Sequence, residues 1–107
     1  DERANFRAFN VAGQKGTTGL EYAHLVSNAA GKDIQPLVNG DYRFGDTRHT
    51  VSSGEALQQL GWRPETSLEQ TIGEYIEWVK EQPNLKDFYG EIEGKMRAAN
   101  IIRRSNS

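Results

Sequence analysis

Apolar residues recur at helical spacing in three stretches of the chain. Leu68, Ile72, Tyr75, Ile76 and Val79 fall three or four positions apart, which predicts an amphipathic helix from about Leu68 to Glu81. Ser67 is its expected N-cap, and Pro83 ends the pattern because proline cannot continue a helix. Leu20, Ala23, Leu25, Val26 and Ala30 form a second stripe, from about Gly19 to Ala30. Thr18 and Glu21 before it have capping-box spacing, and Gly31 stands where a left-handed C′ residue is expected. The third stripe uses Leu85, Phe88, Tyr89, Ile92 and Met96, from about Leu85 to Ala99, and is weakened by Gly90 and Gly94. A short helix capped by Ser52 or Ser53 runs to about Leu60, where Gly61 stops it. Period-two signals are sparser. Phe6 to Val11 reads as a strand with Phe9 and Val11 on one face, Pro36 to Val38 as a short strand, and Tyr42 to Phe44 as a brief extension. Asn39-Gly40-Asp41 marks a tight turn. Gly45 to Val51 is expected to be irregular, Pro64 to Ser67 a linker, and Arg103 to Ser107 a frayed tail. The fold class is α/β: a small, mostly helical subdomain over residues 1–107 with a few short strands, in which residues 83–107 form a C-terminal helix and tail.

Composition changes this picture in one respect. A chain of 107 residues is one domain or a piece of one, yet only 36% of it is hydrophobic and its mean hydropathy is -0.76. Part of the core is therefore expected to come from elsewhere. The chain opens on Asp1-Glu2-Arg3 without a methionine, so a piece of something longer is expected. The net charge of -2, with both signs interspersed, leaves no basic footprint for nucleic acid. Without cysteine there is no disulfide frame and no thiolate zinc site. No apolar run reaches the length of a membrane span and no signal peptide is visible, so a cytoplasmic setting is expected.

The candidate chemistry lies between the second and third stripes. Tyr42-Arg43-Phe44-Gly45-Asp46-Thr47-Arg48-His49-Thr50 is followed by Leu60-Gly61-Trp62-Arg63-Pro64. Arg43 and Asp46, hinged by Gly45, can place a fixed cation and an acceptor on one concave loop. A guanidinium fork suits that task because it grips two phosphate oxygens at once. The plainer alternative is a polar loop carrying a surface ion pair of little energetic consequence. Gly13-Gln14-Lys15-Gly16-Thr17-Thr18-Gly19 has a G-x-x-G-x-x-G spacing between a strand and a helix, which on its face is a dinucleotide fingerprint. The segment after the helix, Gly31 to Pro36, reads as a turn and not as the second strand that would carry the ribose-binding acid. A strand-to-helix turn needing permissive backbone fits better. His24 and His49 lack the converging ligands of a metal site. Trp62 and Trp78 read as packing aromatics, and the charges of the last helix as a solvated face. No nucleophile–base set and no Tyr-x-x-x-Lys pair is present.

Taken in order, Asn10-Val11, a glycine-containing turn, Thr17-Thr18 opening a helix, the Tyr42-to-His49 loop, Leu60-Gly61-Trp62-Arg63-Pro64 and Ser67-Leu68-Glu69-Gln70-Thr71-Ile72 to Trp78 resemble the C-terminal part of the NAD-dependent nucleotide-sugar epimerases and dehydratases. These form the extended short-chain dehydrogenase/reductase family, which includes UDP-glucose 4-epimerase and dTDP-glucose 4,6-dehydratase. The resemblance covers residues 8 to 80, and the segment from Pro83 onward lies outside it. It implies a fragment of an extended Rossmann-type enzyme. The parent's N-terminal Rossmann domain, with its NAD or NADP and its catalytic Tyr-x-x-x-Lys, is absent from these residues, so the chain alone is expected to be inactive. It further implies that Arg43 contacts the diphosphate of a nucleotide-diphosphate sugar, that Asp46 helps hold the nucleotide, that Lys15 approaches the base and that Thr50 lies near the ligand. The partners implied are that sugar nucleotide, the missing Rossmann domain and a possible second copy of the chain, with no nucleic acid and no membrane. The alternative is an independent, non-catalytic binding or interaction module. Relatives often carry Asp where Ser53 stands, and either residue can cap a helix.

Overall fold

A computed structural model describes residues 1–13 and 15–105; Gln14, within the glycine loop, and Asn106 and Ser107, at the end of the expected tail, lie outside the described residues. After a single 3-10 turn at Glu2–Ala4, the elements are α1 (Gly19–Ala29), β1 (Asp41–Arg43), α2 (Glu55–Gln58), α3 (Leu68–Lys80), α4 (Tyr89–Ala98) and β2 (Ile102–Arg104). They gather into two groups: α3 packs on α1, while β1, β2 and α4 form a separate cluster.

The helix pair follows from local chemistry. Thr18 Oγ1 accepts from the Glu21 N–H at 3.2 Å, and Glu21 Oε2 accepts from the Thr18 N–H at 2.7 Å. This reciprocal capping box satisfies donors that the first turn would otherwise leave orphaned. At the other end Gly31 adopts φ +64, the Lys32 N–H reaches Ser27 O and the Gly31 N–H reaches Asn28 O, both at 3.0 Å. That is a Schellman stop, and it needs a residue that tolerates the left-handed region. Ser67 caps α3 by accepting from the Gln70 N–H at 3.1 Å. Ile72 of α3, 4% exposed, is the most buried apolar residue of the described chain, and Ala12 follows at 9%. The approach of segment 11–13 to α2 explains Gly54. A Cβ there would lie 3.3 Å from the Ala12 carbonyl oxygen, so glycine permits the close backbone contact.

The second cluster is a two-stranded antiparallel ribbon backed by α4. Asp41 pairs with Arg104, Tyr42 with Arg103 and Arg43 with Ile102. The ribbon continues at both ends, with the Phe44 N–H donating to Ile101 O at 2.7 Å and the Ser105 N–H donating to Gly40 O at 2.9 Å. Asn100, at φ +56, turns the chain out of α4: its N–H reaches Arg97 O at 3.0 Å and that of Ile101 reaches Met96 O at 2.9 Å. This second Schellman stop delivers the tail antiparallel to β1.

Four expectations are corrected. Phe6 to Val11 forms no strand. A strand exists only where a neighbour takes its backbone hydrogen bonds, and this segment has none among the described residues. Pro36 to Val38 forms no strand for the same reason, with Leu37 86% and Val38 77% exposed. α4 starts at Tyr89, not Leu85, because Asp87 Oδ1 accepts from the Tyr89 N–H at 2.8 Å and holds the preceding turn outside the helix. Arg103 and Arg104, expected to lie in a frayed tail, belong instead to the paired strand β2. The α/β class thus reduces to a mostly helical chain with one three-residue strand pair. Its radius of gyration of 18.0 Å well exceeds the ~13 Å of a compact domain of this length, in keeping with the low apolar content.

Candidate functional site

The Arg43-to-Asp46 segment is a β-turn. The Asp46 N–H donates to Arg43 O at 3.2 Å, and Gly45, third in the turn, has φ +91. A type II turn requires a positive φ at that position, which is why glycine stands there. The turn folds Asp46 back beneath Arg43, and Arg43 Nε donates to Asp46 Oδ2 at 2.8 Å. Both side chains are more than half exposed, at 58% and 55%, so the pair contributes little to stability. Its consequence is geometric. Asp46 holds the guanidinium from its Nε side, and among the described residues neither terminal nitrogen makes a hydrogen bond. The end of the fork that can take two phosphate oxygens is therefore available.

Arg43 and Asp46 border an open hollow of about 1010 Å³, together with Thr47 and Arg48 of the same loop and Tyr89 and Arg97 of α4. Lys15 and Thr50 line a second open hollow of about 1250 Å³, with Glu21 and Tyr22 of α1 and with Trp62. The four residues singled out from the sequence thus fall into two pairs on two hollows. Thr50 connects them along the chain: its Oγ1 lies 2.6 Å from Thr47 Oγ1 across the loop. In the second hollow the Glu21 carboxyl is held below its ordinary range, first by the Thr18 backbone N–H, then by the Thr18 hydroxyl and, more weakly, by the Lys15 charge. No group of His, Asp and Glu among the described residues could hold a metal ion, and no described helix is long and apolar enough to cross a membrane.

Asp41, Glu93 and Arg97, which border the first hollow, escaped sequence reasoning. Asp41 accepts from Arg97 Nη2 at 2.6 Å and from Arg104 Nε at 3.1 Å. Its carboxyl is pushed below the ordinary range, mainly by Arg97 and then by Arg104. Arg97 is held protonated by Asp41 and by Glu93, whose Oε1 it contacts at 2.7 Å. A signal for part of this was present: Asn100 followed by Ile101-Ile102 has the pattern of a left-handed helix stop before a β-branched strand.

Comparison with known proteins gives one consistent result. The chain is 35% identical over 80 residues, 74% of its length, to dTDP-L-rhamnose 4-epimerase of Burkholderia thailandensis, of which the match covers 22%. It is 31% identical over 78 residues, 72% of its length, to UDP-glucose 4-epimerase 4 of Oryza sativa subsp. japonica, covering 21% of that protein. To UDP-glucose 4-epimerase GEPI48 of Cyamopsis tetragonoloba it is 27% identical over 84 residues, 78% of its length and 24% of the relative. No protein-family model matches the chain and no solved structure matches it significantly. The chain spans about a fifth to a quarter of the length of these curated relatives. Over about three-quarters of its own length, the chain is homologous to the C-terminal portion of nucleotide-sugar epimerases of the extended short-chain dehydrogenase/reductase family.

Proposed function

We propose that this chain is the sugar-nucleotide-binding part of an NAD(P)-dependent epimerase or dehydratase, with Arg43 as the ligand of the diphosphate. The observation that carries the reading is the Arg43–Asp46 turn, which holds the guanidinium by its Nε and, among the described residues, leaves its terminal nitrogens without a partner at the border of a hollow. Asp46 orients Arg43 and sits beside the nucleotide portion, while Lys15 and Thr50 serve the second hollow. A diphosphate carries about two negative charges, and a charge-assisted contact of this kind is worth roughly 1.5–3 kcal/mol.

Epimerisation or dehydration at the sugar needs a nicotinamide and a general base. The residues described do not fit that cofactor. The Gly13-to-Gly19 loop leads from an unpaired segment, and residues 31–40, which would have to supply the ribose-binding strand, contain no strand. The chemistry is therefore assigned to other parts of the enzyme, and this chain's part is to hold the sugar nucleotide in a fixed orientation. In the full-length protein, Arg43→Ala is expected to raise KM for the sugar nucleotide roughly ten- to a hundredfold. Unchanged KM and kcat on every sugar nucleotide accepted would remove Arg43 from the site.

A further inference from the structure

Asp41 borders the same hollow as Arg43, a poor place for a carboxylate if the hollow receives a polyanion. Its surroundings resolve the conflict. One carboxylate oxygen accepts from Arg97 of α4 at 2.6 Å and from Asn39 Nδ2 at 3.0 Å; the other accepts from Arg104 of β2 at 3.1 Å. The side chain is 13% exposed, well below that of either arginine. Asp41 thus joins three elements, bridging 56 positions to Arg97 and 63 to Arg104.

The ribbon needs such a tie. Two strands of three residues are marginal by themselves in water, yet their register decides where Arg43 sits. Positions 41 and 43 share one face of β1, because side chains alternate along a strand. Asp41 secures one end of this face. At the other end of the strand, and by the same alternation on its opposite face, the Arg103 guanidinium lies 3.7 Å above the Phe44 ring, and the Phe44 N–H bonds Ile101 O. Arg43 lies between the two fastenings.

We infer that Asp41 is a positioning residue: through Arg97 and Arg104 it locks the β1–β2 ribbon, and the locked ribbon sets the direction of the Arg43 guanidinium and so the affinity of the hollow for a diphosphate. The inference rests on the reading of Arg43 as an anion ligand. It makes the segment beyond Pro83, which lies outside the family resemblance, part of the binding site.

Charge alone and positioning predict opposite signs, which makes the test sharp. Removing a carboxylate beside an anion site strengthens anion binding if only charge matters; removing a lock weakens it. Inorganic pyrophosphate is titrated calorimetrically into the 107-residue chain and its Asp41→Ala, Arg104→Gln and Arg43→Ala variants, with amide exchange at Phe44 followed in each. Arg104 does not line the hollow, but its loss also removes a positive charge, which by itself weakens anion binding; Asp41→Ala therefore carries the test of sign, and Arg104→Gln is judged by Phe44 exchange. We expect Asp41→Ala and Arg104→Gln each to weaken binding about three- to tenfold, with faster Phe44 exchange and unchanged helical circular dichroism. If Asp41→Ala binds as tightly as the parent chain or tighter while Arg43→Ala loses affinity, the lock is wrong and the diphosphate reading stands. If the parent chain and Arg43→Ala behave alike, the diphosphate reading fails and the inference falls with it.

Discussion

The helix pair α1/α3 and the ribbon of β1, β2 and α4 are built on opposite principles. The pair is local and apolar: each helix starts on a side-chain cap a few residues away, and the buried Ile72 lies in α3, which packs on α1. The ribbon is non-local and polar. Its strands are three residues long, and its ties are arginine–carboxylate contacts and a cation–π stack between distant positions. The difference shows how a small chain with little core divides its work. The apolar pair supplies a scaffold, and the charged ribbon presents a guanidinium in a defined direction.

The largest effect is expected from Ile72→Ala. Truncating a buried isoleucine costs about 2–5 kcal/mol, so thermal unfolding followed by circular dichroism should shift markedly downward. Exchange at Phe44, in the ribbon, should stay as in the parent chain. A common loss of protection in both regions would show that they form one cooperative unit.

Acid sharpens the comparison with a smaller effect. Asp41 and Glu21 both have folded-state pKa values held below the ordinary range, Asp41 by Arg97 and Arg104 and Glu21 by Thr18. A depressed carboxylate contributes stability that is fully present above its unfolded pKa, near 4, and is lost as pH falls through the lower folded value. Exchange protection at Phe44 should therefore fall as pH drops below about 4, and in Asp41→Ala it should lose this dependence. An identical acid response in the two proteins would detach the ribbon from Asp41.

The legible half of the molecule was the local half. α1 and α3 could be read because Thr18, Glu21, Gly31 and Ser67 act on neighbours three to five positions away, and because an apolar stripe repeats every turn. The short helix before Gly61 was legible in outline, although Ser53 only accepts from the Glu55 N–H at 3.3 Å and Gly54 is the cap. The Arg43–Asp46 pair was visible because glycine between them announces a turn. The ribbon was not legible, since three residues carry too little periodicity to register and its partners are far away in sequence. Phe6 to Val11 misled for the converse reason: alternation proposes a strand, but only a neighbour makes one. Lys15 and Thr50 appeared to belong with Arg43, and the fold sets them on a separate hollow.

The central claim is that the Arg43 fork receives the diphosphate. The most direct measurement is the side-chain Nε–H resonance of Arg43, assigned by comparison with Arg43→Lys, during a titration with UDP. Binding at the terminal nitrogens should move this resonance and slow its exchange with water, saturating with the same Kd as the ligand's own signals. UDP binding that saturates elsewhere on the chain while the Arg43 resonance stays fixed would contradict the account.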